Sequence, residues 1–352
     1  MVFDAIGDRG HEQVSHFSDP ETGLQAIVAI HDTTLGPGLG GTRIYDYETE
    51  ADALEDVLRL SRAMTYKAAA ADLDLGGAKA VVIGDPTEIK TDALLEAYGR
   101  AVERLGGRYI TSVDVNSTVA DMDVVARKTD HVVGTSAGID DPSTVTAHGV
   151  RCGIEACIEH TRGTDDIDDI SVLVQGLGKV GRSLAVDLHE RGASVTVSDI
   201  DADAVAAFEA EYDVASVSPE GVYDEPCDVF APCAVGGVIA DETIDRLQCD
   251  VVAGAANNVL DERRHAVELS ERGILYAPDY VINAGGLIAV YQEKIDGSHA
   301  AAIDQATAIG PRLLEMIERA DTEGTTVLDA AEHYAEERLH RDERTTSPAP
   351  GT

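Results

Sequence analysis

Two lysines twelve residues apart are the first candidates for chemistry. Lys67 and Lys79 stand among small and apolar residues, in a chain of 352 residues that has only six lysines against 21 arginines. Lysine this scarce is not kept in apolar surroundings for solubility, although each side chain could simply extend to solvent at the end of an element. Two ammonium groups facing one cleft lower each other's pKa, and burial lowers it further. One can then act as a neutral base at about pH 7 to 8 while the other binds a carboxylate, which predicts an acid–base site for an amino acid.

Acidic and amide side chains follow several predicted strands. Asp114 comes directly after the predicted strand Tyr109–Val113, where α/β proteins gather polar groups, although capping of the next helix explains it nearly as well. Asn257, Asn258 and Asn283 also follow predicted strands, and such amides can bind a nicotinamide carboxamide or a substrate carboxylate. Turn formation is the rival explanation for each of them.

A glycine-rich turn in the middle of the chain has the spacing of a dinucleotide site. An apolar run, 171–174, leads into Gly176-Leu177-Gly178-Lys179-Val180-Gly181, and a helical pattern follows. Gly176 permits the tight turn, Gly178 lets the backbone approach a pyrophosphate, and Gly181 lets helix and strand pack closely. A plain glycine-rich turn between strand and helix is the alternative. Because strand, helix, second strand and terminal acid are all in register, the sequence predicts a dinucleotide site.

The acid at the end of the second strand indicates which dinucleotide is bound. Asp199 lies about 20 residues beyond the glycines, where a carboxylate accepts from the ribose hydroxyls of NAD and repels the 2′-phosphate of NADP. An acid at a strand end is weak evidence alone in a chain with 65 acids. Together with the glycine turn it predicts NAD as the cofactor.

The elements that position these residues alternate between strand and helix. Strand patterns are predicted at 24–30, 80–83, 109–113, 228–232, 251–254 and 274–277, helices at 50–64 and 92–105, a glycine-dense turn at 36–43 and a loop at 73–77. The alternation predicts an α/β protein of two domains with the active-site cleft between them. We expect a substrate domain at 1–138, completed by a helix at 325–340, a Rossmann domain at 139–324, and a disordered tail at 341–352.

Composition excludes several classes of partner. A net charge of −38 makes nucleic acid and anionic membranes poor partners. So many negative charges repel one another, and concentrated salt screens this repulsion. The excess of acidic residues and the scarcity of lysine therefore predict a salt-adapted cytoplasmic protein. An ordinary acidic enzyme is the alternative. Five cysteines without a CxxC pair predict buried thiols in a reducing compartment and no metal site. We expect no export signal and no membrane span, because no apolar run approaches the 18 or so residues needed.

The chain contains seven distinctive motifs: Gly36-Pro37 with Gly40–Arg43, Met64–Lys67, Gly76–Lys79, Ile83–Pro86, Val145–Val150, Ala231–Ala234 and Ala277–Gly286. Together they resemble the Glu/Leu/Phe/Val dehydrogenases, most closely leucine and valine dehydrogenase. The resemblance spans about residues 10 to 340, and the last motif is especially specific. It implies NAD-dependent oxidative deamination of an amino acid to the 2-oxo acid and ammonia, by a homo-oligomer.

The resemblance also implies roles for single residues. Lys67 would bind the substrate carboxylate, Lys79 would activate the water that attacks the imine, and Asp114 would exchange protons with the amino group. Further implied contacts are Asn257 or Asn258 for the carboxylate, Gly40 for the substrate, Thr146 and Asn283 for the nicotinamide, and Leu39, Met64, Ser112, Leu287 and Val290 for the substrate side chain.

The chain departs from the family pattern at four positions. Ala63 and Ala78 stand where glycine is usual, Val113 where glutamate precedes the shuttle aspartate, and Asn116 where glycine follows it. The base and the shuttle themselves are intact. The departures therefore bear on local geometry and substrate preference.

The residues matched to the side-chain pocket predict the substrate class. None of the five is cationic, so glutamate would leave its second carboxylate unpaired in an apolar site. We expect leucine, valine or isoleucine ahead of phenylalanine. Phenylalanine or glutamate dehydrogenase is the alternative activity, and a non-catalytic NAD-binding amino acid sensor is the alternative of another class. The presence of Lys79 and Asp114 favours an enzyme.

Overall fold

The structure is a computed structural model that describes residues 6, 7, 9–139 and 141–346, with side chains as far as residue 340. The chain forms two compact units. The first contains the chain up to Ile139, a short excursion at Glu293–Asp296, and the end of the chain from Ala335. The second contains the two remaining segments, Asp140–Gln292 and Gly297–Tyr334. Among the described residues, no helix combines the length and apolarity needed to cross a bilayer.

The first unit is built on a five-stranded sheet. Its strands are β1 (Gln13–Asp19), β2 (Leu24–Asp32), β3 (Gly38–Tyr45), β4 (Gly76–Ile83) and β5 (Tyr109–Val113), in the order β1-β2-β4-β3-β5. Strand β3 pairs in parallel with β4 and β5, whereas β1 and β4, the central strand, pair with β2 in antiparallel fashion. Its helices are α1 (Glu50–Ala70), α2 (Pro86–Ile89), α3 (Asp92–Glu103) and α4 (Val119–Ala126).

Helices cover both faces of this sheet. On one face, Val57 of α1 packs with Ile27 and Val81 of the strands. On the other, Tyr98 of α3 packs in a core that includes the neighbours of Lys79 on β4. Because side chains alternate along a strand, Lys79 projects from the face that α1 covers.

The second unit has a six-stranded, wholly parallel sheet. Its strands are β6 (Ser171–Gln175), β7 (Ser194–Ser198), β8 (Ala215–Ser216), β9 (Val229–Pro232), β10 (Val251–Val252) and β11 (Leu275–Tyr276). Read from one edge, they follow the order β8-β7-β6-β9-β10-β11, with every neighbouring pair parallel. This is the strand order of the Rossmann fold, in which the chain reverses direction across the sheet beside the first strand, β6.

Ten helices surround or extend this second sheet within the described chain. They are α5 (Pro142–Arg162), α6 (Lys179–Glu190), α7 (Ala202–Tyr212), α8 (Asp241–Ile244), α9 (His265–Glu271), α10 (Asp279–Ile282), α11 (Gly285–Lys294), α12 (His299–Thr307), α13 (Ile309–Glu323) and α14 (Val327–Thr346). The last of these passes into the first unit at Ala335, which packs against Leu35 and Ala69 there.

The glycine-dense segment Gly36–Arg43 is largely a strand, so the predicted turn was wrong. Residues from Gly38 onward form β3, the centre of the parallel pairing. A Cβ at Gly40 would lie 1.7 Å from the carbonyl oxygen of Ala78, so glycine is required by the close approach of β4. Composition indicated a turn because close packing of neighbouring backbones cannot be read from one segment alone.

Other predicted boundaries also needed correction. Helix α1 continues to Ala70, six residues beyond its predicted end at Met64, and β4 begins at Gly76 rather than at Ala80. Helix α14 runs to Thr346 and so overlaps the start of the segment 341–352, for which the sequence predicted disorder. Residues 347–352 lie outside the described residues.

All five cysteines are free thiols, but not all are buried as predicted. Three are buried and two are half-buried: Cys152, Cys157 and Cys249 in the first group, and Cys227 and Cys233 in the second.

Candidate active site

Strand register in the first unit sets Lys79 and Asp114 on the same face of the sheet. Thr42 of β3 pairs with Ala80 of β4 on one side and with Val113 of β5 on the other. One step back along β3, Gly41 therefore lies between Lys79 and Ser112. Asp114 follows β5 directly, two residues after Ser112, so it projects to the same face.

Buried Lys79 and half-buried Asp114 form an ion pair. Lys79 Nζ lies 2.5 Å from Asp114 Oδ2, and the two side chains are 8% and 21% exposed. Gly41, which has no side chain, lies beneath the contact between Lys79 and Asp114. A Cβ there would lie 2.8 Å from Asp114 Cβ and 2.4 Å from the Val113 carbonyl oxygen, so any other residue would displace the aspartate.

The surroundings of Lys79 favour its neutral form. Burial is the largest influence and lowers the pKa of Lys79 below its ordinary value, whereas the neighbouring Asp114 carboxylate opposes that change. A lysine that loses its proton more readily than usual, next to a carboxylate, has the properties of a general base with a proton relay. The predicted acid–base chemistry is therefore available at this pair.

A second charge pair adjoins the first, and sequence analysis gave it no role. Arg43 Nε lies 3.4 Å from Asp114 Oδ2, and Arg43 Nη1 lies 2.8 Å from Asp56 Oδ2. The available signal was the position of Arg43, two residues after Gly41 and hence on the same face of β3. That signal was hidden because the segment was predicted to be a turn.

Lys67 lies in the last turn of α1, where the helix crosses β4. A Cβ at Gly77 would lie 2.1 Å from the Thr65 backbone nitrogen, so helix and strand are in direct backbone contact. Lys67 and Lys79 each stand two residues beyond this contact. Lys67 is half-buried, as is Met64 on the preceding turn. The two segments that carry the lysines therefore lie side by side, as a shared site requires.

The first unit also contains three of the positions matched to the substrate side chain. Leu39 on β3 is buried, Ser112 on β5 is buried, and Met64 on α1 is half-buried. The fourth and fifth, Leu287 and Val290, lie on α11 in the second unit, buried and half-buried respectively.

The glycine turn of the second unit has the packing that its sequence predicts. Gly176 follows β6 with φ +103°, and a Cβ at Gly181 would lie 1.9 Å from the Gly176 carbonyl oxygen. Gly178 caps α6, and a Cβ there would meet no atom within 4 Å. The start of α6 is therefore open at Gly178, where a phosphate can approach the helix N-terminus. Leu177 is buried, whereas Lys179 is exposed and Val180 is half-buried.

Asp199 is tied to the glycine turn. Its Oδ2 accepts from the backbone N–H of Leu177 at 2.6 Å, and its Oδ1 accepts from the N–H of Asp201 at 2.8 Å. The carboxylate therefore stands half-buried beside the turn, at the end of β7.

Amide and hydroxyl groups cluster at a second place in this unit. Asn283 Nδ2 donates to Asn257 Oδ1 at 2.9 Å and to the Ala255 carbonyl at 3.1 Å. Asn283 Oδ1 is buried and accepts from no group of the described chain. Thr146 lies close by, because a Cβ at Gly285 would be 2.6 Å from its Cα. Asn257 and Asn258 are both exposed, and Asn258 adopts a left-handed conformation with φ +52°.

Two departures from the family pattern have physical explanations here. Asn116 has φ +59°, a conformation that asparagine tolerates better than other residues with a side chain, and its Nδ2 donates to the Ile44 carbonyl. Ala78 is fully buried in the core beneath α3, where its methyl group adds packing. Ala63 is exposed and Val113 is half-buried.

One cluster of potential metal ligands, Asp241, His265 and Glu268, lies in the second unit. Arg264 already neutralises its carboxylates, since Nη2 lies 2.5 Å from Asp241 and Nη1 lies 2.7 Å from Glu268. His265 Nε2 contacts Asp241 at 3.0 Å. The three groups are therefore satisfied by one another and by the arginine.

Comparison with known proteins agrees with the geometry of both units. The family model "Glu/Leu/Phe/Val dehydrogenase, dimerisation domain" matches residues 11–131, and "Glutamate/Leucine/Phenylalanine/Valine dehydrogenase" matches residues 201–343. Leucine dehydrogenase from Thermoactinomyces intermedius is 46% identical, over 98% of this chain and 95% of that protein. L-tryptophan dehydrogenase from Nostoc punctiforme is also 46% identical, over 99% of both chains.

A solved structure extends the similarity to three dimensions. The crystal structure of L-tryptophan dehydrogenase from Nostoc punctiforme matches with a TM-score of 0.90 and 44% identity, over 98% of this chain and 100% of the other. Fold, lysine–aspartate pair and full-length sequence similarity agree. The chain therefore belongs to the Glu/Leu/Phe/Val dehydrogenase family and is an amino acid dehydrogenase.

Proposed function

We propose that this dehydrogenase oxidatively deaminates branched aliphatic L-amino acids with NAD as the hydride acceptor. The amino acid, NAD⁺ and water give the 2-oxo acid, ammonium, NADH and a proton. The observation that carries the proposal is the buried contact of 2.5 Å between Lys79 Nζ and Asp114 Oδ2. It supplies the base and the proton relay that this reaction needs.

The chain's own residues divide the chemistry between them. Lys67 binds the substrate carboxylate and fixes the amino group toward Asp114. Asp114 accepts a proton from the ammonium group, so that the nitrogen lone pair can form the imine as hydride leaves Cα. Neutral Lys79 then takes a proton from the water that attacks the imine carbon. Asp114 then returns its proton to the nitrogen and takes the hydroxyl proton of the hydrated intermediate as the C–N bond breaks, so that ammonia departs and the 2-oxo acid remains.

The second unit fits the nicotinamide cofactor. NAD supplies the hydride acceptor when bound. The start of α6, with open space over Gly178, suits its pyrophosphate, and the carboxylate of Asp199 suits a ribose without a 2′-phosphate. Asn283 Oδ1, buried and accepting from no described group, suits the N–H of a carboxamide, with Thr146 beside it. Equal rates with NADP and NAD would contradict this assignment of Asp199.

The preference for branched aliphatic substrates rests on side-chain chemistry. Leu39, Met64, Leu287 and Val290 are apolar, and Ser112 is the only polar member of the matched set. A second substrate carboxylate would have no cationic partner among them. Because relatives of equal identity are named for leucine and for tryptophan, aromatic amino acids are the specific alternative. Glutamate dehydrogenase is the less favoured enzyme, and a non-catalytic sensor would not need the buried base.

We also propose that the enzyme is a homo-oligomer. The matched model of residues 11–131 is described as a dimerisation domain. In that region β1 is an edge strand, paired only with β2 among the described strands. Exposed edges of this kind readily pair with a second chain.

The test is NADH formation in concentrated salt with leucine, valine, isoleucine, phenylalanine, tryptophan and glutamate assayed separately. We expect the highest kcat/KM with a branched substrate and little turnover of glutamate. Lys79→Ala should lower kcat by about 100-fold or more. Lys128→Ala is the matched control, because Lys128 pairs with Glu96 on the surface of the same unit. Full turnover by Lys79→Ala would refute the mechanism, whereas fastest turnover of tryptophan or phenylalanine would refute only the substrate class.

A further inference from the structure

Two cationic side chains, Lys79 and Arg43, contact the same carboxylate oxygen of Asp114 at the candidate site. Asp114 Oδ2 lies 2.5 Å from Lys79 Nζ and 3.4 Å from Arg43 Nε. The other end of the same guanidinium, Nη1, lies 2.8 Å from Asp56 Oδ2. The guanidinium group of Arg43 therefore connects Asp114 to the carboxylate of Asp56 on α1.

Asp56 is itself held in place from two sides. Tyr47 Oη donates to Asp56 Oδ2 at 2.7 Å, and Arg59 Nη2 donates to Asp56 Oδ1 at 2.9 Å. The side chains of Arg43 and Asp56 are only 22% and 16% exposed. The attraction within a half-buried ion pair is largely offset by the free energy needed to remove its charges from water. A contribution to folding stability alone therefore does not explain this arrangement. Its contact with Asp114 offers a functional reason.

We propose that Arg43 and Asp56 are positioning residues that hold the Asp114 carboxylate toward Lys79 and control how readily Lys79 gives up its proton. This inference rests on the proposed function, in which neutral Lys79 is the base. Neither residue contacts the reacting atoms in this scheme. They act through Asp114 and through the charges that they bring near Lys79.

The two positioning residues should act on Lys79 in opposite directions. Burial lowers the pKa of Lys79 most and Asp114 raises it, while the positive charge of Arg43 lowers it further and the negative charge of Asp56 raises it. Loss of Arg43 therefore makes Lys79 hold its proton more tightly. Loss of Asp56 leaves the charge of Arg43 less compensated and makes Lys79 release its proton more readily. A group that only braces the fold would not produce shifts of opposite sign.

The experiment is the pH profile of kcat/KM for the preferred amino acid with saturating NAD, measured on the full-length enzyme. Activity rises with pH as Lys79 loses its proton, and this rising limb is the readout. We expect Arg43→Gln to move the limb to higher pH, with a fall of about tenfold in kcat/KM on its acidic side, and Asp56→Asn to move it to lower pH. Arg43→Lys keeps the charge and should keep the limb near its original position. Arg127→Gln removes the same charge from an exposed pair with Asp92 and is the control expected to change nothing.

Two outcomes separate failure of this inference from failure of the proposed function. If Lys79→Ala is inactive but neither Arg43→Gln nor Asp56→Asn moves the limb, the inference is overturned and the mechanism stands. If Lys79→Ala keeps its turnover, the mechanism itself is wrong. Should Arg43→Gln fail to fold, as circular dichroism would show, the direction of the limb in Asp56→Asn decides alone.

Discussion

Protonation of one buried histidine should make the first unit sensitive to mild acid. His11 is 6% exposed, and its Nε2 lies 3.0 Å from the Leu58 carbonyl oxygen and 2.8 Å from Ser61 Oγ. Because a carbonyl only accepts, we assign the ring proton to Nε2. Nδ1 is buried and meets no hydrogen-bond partner among the described residues. A second proton there would create a buried cation beside the His31 ring and near Arg9 and Arg62.

The size of the effect follows from the pKa. Burial, with a smaller effect of His31, lowers the pKa of His11 from 6.5 to about 4. Between these two values the unfolded chain binds the proton and the folded chain does not, so the free energy of unfolding falls as the pH falls. A pKa change of 1 corresponds to about 1.36 kcal/mol, so a decrease of about 2.5 corresponds to a loss of about 3 kcal/mol in the free energy of unfolding at acidic pH. That stability is fully present above pH 6.5 and is lost by about pH 4.

The assay is urea unfolding at fixed high salt and at a series of pH values from 7 to 4, for the natural chain and His11→Gln. Glutamine keeps an N–H near the Leu58 carbonyl but does not titrate. Carboxylates and His31 titrate in both proteins, so the difference between them isolates His11. We expect the natural chain to lose about 3 kcal/mol more than the variant over this range. Parallel loss of stability in the two proteins would refute the assignment of His11 as the acid-sensitive group.

Three further changes test other features. Gly41→Ala should abolish turnover, because the added Cβ displaces Asp114. NAD binding by this variant, measured by fluorescence titration, should persist. A normal kcat would show that the Lys79–Asp114 pair tolerates this displacement. Asn116→Ala should cost about 1 kcal/mol in urea unfolding, and Asn116→Gly should cost less, because only the alanine is strained at φ +59°. Dilution from concentrated salt into low-salt buffer should unfold or inactivate the enzyme, since a net charge of −38 is then unscreened. Unchanged circular dichroism and activity at low salt would make the chain an ordinary acidic enzyme.

Local sequence patterns identified the parts of the fold that depend on near neighbours. The strand Tyr109–Val113 was predicted with the bounds that the structure shows, and the glycine turn after β6 was found from spacing alone. Both are short segments whose structure is determined by residues next to one another. A Rossmann domain in the second half of the chain was also predicted, from this glycine turn and the acid that follows the next strand.

Features that depend on distant backbone contacts were missed or misplaced. β3 was predicted to be a turn because the sequence alone does not show why its glycines are there. They are required by the close approach of β4, which lies more than 30 residues further along the chain, and not by a local turn. The role of Arg43 was missed for the same reason, since its two carboxylate partners lie 13 and 71 residues along the chain. Lys79 and Asp114 were singled out from residue type and position, the structure brings the two side chains together, and their catalytic roles stay a prediction. Their meeting over Gly41 is a matter of strand register, which one sequence does not reveal.

The proposed proton-transfer pair lies on or directly after strands, whereas three of the five positions matched to the substrate side chain, Met64, Leu287 and Val290, lie on helices. Lys79 and Asp114 are fixed by β4 and the end of β5, whereas Met64 and Leu287 project from helices. A laboratory library that varies the helix positions would leave the strand pair and its charges untouched. Substitutions at these helix positions should therefore alter substrate selectivity without loss of the underlying chemistry.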